Sequence, residues 1–83
     1  MGSANTFHLT IASVGEIRFD GSTISATFPG ESGELTVLAH HEPFVTTLKA
    51  GTIKIREGAE GSKEILIEGG VLEVTGNRAV VLL

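Results

Sequence analysis

Apolar and polar residues alternate along much of the chain. Phe7, Leu9 and Ile11 are separated by His8 and Thr10, and Ile17 and Phe19 by Arg18. Ile24, Ala26 and Phe28 are separated by Ser25 and Thr27, and Ile53 and Ile55 by Lys54. A period of two sends successive side chains to opposite faces of a strand, so each segment is predicted to bury one face and wet the other. Ile65-Leu66-Ile67 and Ala79-Val80-Val81-Leu82-Leu83 are continuous apolar runs instead. Such runs suit central strands, or strands covered on both faces.

Turn chemistry punctuates these segments. Asp20-Gly21 and Gly76-Asn77 each lie between strand-like runs and tolerate the positive φ of tight hairpins. Pro29-Gly30, the stretch 58–61 and Gly69-Gly70 mark further turns. No stretch carries a capped helical stripe. The expected fold is all-β: eight to ten strands in two packed antiparallel sheets, a β-sandwich or flattened barrel. With 83 residues and no linker or internal repeat, residues 1–83 read as one domain. A chain of this size buries roughly 60–65% of its unfolded surface, so its stability is modest.

Composition narrows the function. The chain lacks cysteine, which excludes disulfides, thiolate metal sites and a cysteine nucleophile. Its four aromatic residues, Phe7, Phe19, Phe28 and Phe44, all sit in apolar contexts that predict core packing. Net charge is −4, and the six basic residues are scattered apart from Lys54 and Arg56. Nucleic-acid binding needs clustered cations, so it is not expected, and neither is a polybasic membrane surface. No apolar run approaches the roughly 20 residues that span a bilayer. The start of the chain has no charged segment leading into an apolar one, so no secretory signal is expected.

The chemical motifs are sparse. His40-His41-Glu42 has a metal or acid–base character. Zinc sites draw three or four ligands from spaced pairs, and here only His8 remains to add a third imidazole. The expectation is no metal, no cofactor and no catalytic residue. One histidine is read as holding its loop and the other as facing solvent or a partner. Pro29-Gly30-Glu31-Ser32-Gly33-Glu34 is glycine-rich, but a strand-like segment follows it and its glutamates repel phosphate, so it reads as an exposed acidic loop. No Gly-x-Ser-x-Gly elbow occurs. Glu31 with Glu34, and Glu64 with Glu68, read as solvated charges. On these grounds the chain is a small β domain that binds something.

Four segments resemble the amino-terminal domain of the epsilon subunit of F-type ATP synthases. They are the opening Thr6-Phe7-His8-Leu9-Thr10-Ile11-Ala12-Ser13, then Pro29 to Leu38, then His41-Glu42-Pro43-Phe44-Val45-Thr46-Thr47-Leu48-Lys49-Ala50-Gly51, then Gly69-Gly70-Val71-Leu72-Glu73-Val74 with Asn77 and Val80 to Leu82. Their order and spacing also match the family. Ala39-His40 departs from a family glycine, Thr36 replaces another, and the sequence stops at Leu83, where typical members continue into a helical hairpin.

The resemblance implies a ten-stranded β-sandwich on the central rotor of a proton-translocating ATP synthase. The sandwich is then a non-catalytic part wedged between the gamma subunit and the c-ring, with no transmembrane segment of its own. It implies a place on the cytoplasmic face of a bacterial membrane, or the stromal face of a thylakoid. Without a hairpin, neither inhibition of hydrolysis nor ATP sensing by the usual route is expected. By resemblance, Glu31, Ser32, Gly33 and Glu34 contact the c-ring loops. Ser13, His41, Pro43, Phe44, Val45 and Thr46 contact gamma. Phe44 is equally open to a core role, and His41 to fixing its own loop. The alternatives are a free-standing β-sandwich module for a small ligand or protein, whose mark would be a pocket lined by exposed aromatics, and a metal-dependent enzyme using His8, His40 and His41. The apolar last strand also leaves self-association open.

Overall fold

The computed structural model describes residues 5–58 and 61–83. They form β1 (Phe7–Ser13), β2 (Glu16–Thr23), β3 (Ser25–Gly30), β4 (Gly33–Leu38), β5 (Phe44–Arg56), β6 (Ser62–Thr75) and β7 (Arg78–Leu82), with no α-helix among them. The predicted all-β class holds. The strands join in one coiled sheet of order β2-β1-β7-β6-β5-β3-β4. All pairings are antiparallel except β1 with β7, which run parallel, from His8↔Arg78 to Ala12↔Leu82. Where two packed antiparallel sheets were expected, one continuous sheet with a single parallel pairing supplies both layers.

Seven strands stand where eight to ten were expected, and the reason is physical. β5 and β6 pair in one unbroken register from Phe44↔Val74 to Arg56↔Ser62. Along β5 the buried positions change parity, from Leu48 to Ile53 and Ile55. Along β6 they change from Ile67 to Leu72 and Val74. Each long strand therefore turns a corner and serves both layers without breaking its ladder. Gly69, at φ +146°, supplies the bend in β6, in a region where a side chain is strained. Beside it, a Cβ on Gly70 would lie 2.7 Å from the Leu82 carbonyl oxygen, so only glycine fits there. Gly69-Gly70 is thus a corner inside a strand and not the expected turn.

The Asp20-Gly21 hairpin is also corrected. Both residues lie within β2, paired with Thr10 and Leu9. The chain reverses earlier, at Val14-Gly15, where Gly15 has φ +76°. Gly76-Asn77 does form the predicted turn between β6 and β7. Pro29-Gly30 ends β3, and the reversal itself is Glu31-Ser32. The predicted turn at 58–61 includes residues 59 and 60, which lie outside the described residues.

The core is the inward set of the alternation. Leu9, Ile11, Phe28, Ile53, Ile55, Leu72 and Val81 are fully buried. Phe7 joins them, while Phe19 and Phe44 pack against them half-buried. The Lys63 ammonium stands 5.7 Å from the Phe19 ring centre. Arg18 Nη2 donates to the Leu66 carbonyl at 3.4 Å, tying edge strand β2 to the bent half of β6.

Candidate interaction surface

Both apolar runs lie on central strands, but their outer faces are open. Leu66 is 73% and Leu82 59% exposed. Leu82 belongs to a row that crosses the sheet. Ile17 pairs with Ala12, Ala12 with Leu82, Leu82 with Val71, and Val71 with Thr47. Directly paired residues share a face, so all five side chains point outward. At strand spacings of about 4.8 Å the row is about 19 Å long. Ile17 is 62% exposed, and Val71 is exposed as well. The neighbouring row runs Asp20, Thr10, Val80, Glu73, Val45, and Val45 is 65% exposed. Isolated exposed apolar side chains need no explanation, but a contiguous strip of them marks a contact surface.

The acidic loop adjoins this strip. Glu31-Ser32 is the two-residue loop between β3 and β4, closed by Gly30↔Gly33. The Glu31 N–H donates to the Thr47 carbonyl at 3.2 Å, and Thr47 ends the apolar row. Glu31, Ser32, Gly33 and Glu34 are all exposed. The structure therefore brings this quartet together at one loop tip, beside β5.

The second group is split. Ser13 ends β1, half-buried, one residue beyond Ala12. Pro43 is exposed in the loop before β5. Phe44 and Thr46 face inward, opposite Val74 and Leu72, whereas Val45 faces outward opposite Glu73. His41 is exposed, and its Nδ1 lies 3.0 Å from the Glu42 carbonyl, where an Nδ1–H donates. Its ring centre is 5.1 Å from that of Phe44. Val45 thus borders the apolar strip, and Phe44 anchors its strand to the core.

Three features escaped the sequence reading. The outer row of Ile17, Val71 and Leu82 becomes visible only once the β1–β7 register is known. Asn77 pins three segments. Its carbonyl accepts the His8 N–H at 2.9 Å, its Oδ1 accepts the His40 N–H at 2.7 Å, and its Nδ2 donates to the Thr6 carbonyl at 2.9 Å. This holds His40 at φ +63°, a backbone region uncommon for residues other than glycine. Asp20 Oδ1 is 2.5 Å from His8 Nε2 and accepts from Thr10 Oγ1 at 3.0 Å. Those hydrogen bonds, with the charges of His8 and Arg78, hold the Asp20 carboxyl below its ordinary range.

Among the described residues, three surface depressions stand out, and none is lined by the exposed Phe, Tyr or Trp side chains that would mark a small-ligand module. A depression of about 340 Å³ is lined by Ser25, Thr27, Lys54, Arg56, Ser62 and Glu64 among others, and carries no aromatic ring. The depression beside Leu66 carries none either, and the one beside Leu38 carries only the His40 imidazole. Among the described residues, no three histidine or carboxylate side chains converge as a metal site requires. His8 turns to Asp20, while His41 stays in its own loop.

Residues 6–83 match the family described as the β-sandwich domain of the ATP synthase delta/epsilon chain. The sequence is 39% identical over 77 residues to the ATP synthase epsilon chain of Bordetella avium, covering 93% of this chain and 55% of that one. It is 42% identical over 79 residues to the epsilon chain of Delftia acidovorans, covering 94% and 56%. The chain thus spans about half the length of the curated relatives it matches. Its fold superposes with a TM-score of 0.86 on a chain of Euglena gracilis mitochondrial ATP synthase, at 23% identity, covering 95% of this chain and 50% of that one. It superposes at 0.74 on a chain from the central stalk and c-ring of Tetrahymena thermophila mitochondrial ATP synthase, at 22% identity, covering 90% and 60%.

Proposed function

The chain belongs to the ATP synthase delta/epsilon β-sandwich family, and on that premise we propose that it is the sandwich part of a non-catalytic rotor subunit. It joins the gamma subunit to the c-ring of a proton-translocating ATP synthase, on the cytoplasmic face of a bacterial membrane or the stromal face of a thylakoid. The observation that carries this reading is the continuity of the strip from Ile17 through Leu82 and Val71 to the Glu31 loop.

Torque transmission needs a rigid body with two faces and no chemistry. The bent β5–β6 ribbon supplies the rigidity, because one hydrogen-bonded ladder runs through both layers. Gamma docks on the apolar strip, with Leu82 and Val71 at its centre and Val45, Ser13, His41 and Pro43 around it. Interface cores are apolar and their rims polar, and this strip, bordered by Asp20 and Glu73, has that composition. The Glu31-Ser32-Gly33-Glu34 tip meets the c-ring loops, where its charges orient docking more than they tighten it.

Calorimetric titration with the gamma subunit of the same organism tests the reading. One-to-one binding is expected. Leu82→Asp should weaken it about tenfold or more, the loss typical of a central interface residue. Lys54→Ala, away from the strip, should leave it unchanged. Failure to bind, with both partners folded, would overturn the assignment.

A further inference from the structure

The sheet has two edges, and they are guarded unequally. Edge strand β2 is bulged against β1 between Ile11 and Ala12. It carries Glu16, Arg18 and Asp20, and Arg18 reaches across to the Leu66 carbonyl. Bulges, charges and cover are the means by which proteins prevent a further strand from adding. Edge strand β4 has none of this cover. It pairs with β3 without a shift from Ser25↔Leu38 to Gly30↔Gly33, and its only charge is Glu34. Among the described residues, no backbone group outside β3 bonds it.

Pro29 reveals which groups face the open side. It sits opposite Glu34 and has no N–H, so that pair cannot exchange two hydrogen bonds. Antiparallel pairs alternate between bonded and non-bonded. Glu34, Thr36 and Leu38 therefore turn their N–H and C=O groups away from β3. Their side chains are exposed on the outer face, and Leu38 is 55% exposed.

We propose that β4 pairs antiparallel with β4 of a second copy of this chain, about a two-fold axis through Thr36. This register engages all three open residues of both copies, each giving one donor and one acceptor. It sets Glu34 against the second copy's Leu38 rather than against its Glu34. It puts the two Thr36 side chains together on the outer face, and Leu35 beside Val37 on the inner face. Both cores then lie on one side of a continuous sheet, as strand pairing requires. Each copy carries a net charge of −4, which opposes association, so the dimer tightens as salt is raised. The site is separate from the apolar strip and shares only its first residues, Gly33 and Glu34, with the acidic loop tip.

Sedimentation equilibrium of the 83-residue chain, from micromolar to millimolar, tests the proposal. The average mass should climb from 8.7 kDa toward twice that value. Thr36→Lys and Thr36→Glu should each abolish the climb, because like charges then face one another on the axis. An equimolar mixture of the two should restore it. Leu82→Asp should leave it unchanged. In the unmodified chain, amide exchange at Glu34, Thr36 and Leu38 should slow as concentration rises. A monomer at millimolar concentration, a dimer indifferent to both Thr36 substitutions, or a dimer lost in Leu82→Asp would overturn it.

Discussion

Asp20 shows how much a single side chain depends on register. In the sequence it sits beside a glycine, where a turn is the natural reading. In the fold it faces outward from β2, opposite Thr10 and within reach of His8. The hydrogen bonds from His8 and Thr10 favour the carboxylate, so its folded pKa lies below its unfolded one. Stability from this source is complete above the unfolded carboxyl value and is lost as pH falls through the lowered folded value. Asp20→Asn should therefore flatten the acid limb of a plot of Tm against pH. The unmodified chain should be the more stable at neutral pH, and the gap should close below about pH 4. An unchanged acid limb in thermal scans would show that the cluster does not contribute. Asn77 teaches the same lesson, since its turn was legible but its three hydrogen-bonded partners lie far away along the chain.

At the level of elements, the corners matter most. Gly70→Ala sets a methyl group against the Leu82 carbonyl, a backbone atom that cannot move alone. It should destabilise the fold by more than about 1 kcal/mol in urea unfolding, because the native backbone there excludes a side chain. Gly58→Ala, at a glycine with open space around it, should be close to neutral. The alternation reading found the all-β character and many of the strand segments, but it read the corner at Gly69-Gly70 as a turn. A parity switch in the apolar pattern marks either a turn or a corner, and local sequence does not distinguish them, because the long β5–β6 ladder is what decides. The acidic loop was fully legible, since glutamates flanked by glycines have no place in a core. The apolar strip was not, because it is assembled from β2, β1, β7 and β6, and the parallel β1–β7 contact leaves no local signature.

For the whole molecule, the strip and the loop tip give one small body two places to bind. Glu31→Lys combined with Glu34→Lys should weaken association with isolated c-ring several-fold at low salt, with the difference shrinking at high salt. Thermal unfolding should be nearly unchanged, since both side chains are exposed. Retained association at low salt would remove the loop from the interface. The parallel pairing of β1 with β7 carries a different consequence, in the time domain. Strand β1 is flanked by β2, its immediate successor, and by β7, formed by the final residues of the described sequence. As the domain emerges from a ribosome, a gap therefore stands open beside β1 while β2 to β6 are made. Only when residues 78–82 clear the exit tunnel does the gap fill, so the sheet cannot close until the seventh strand has followed the other six.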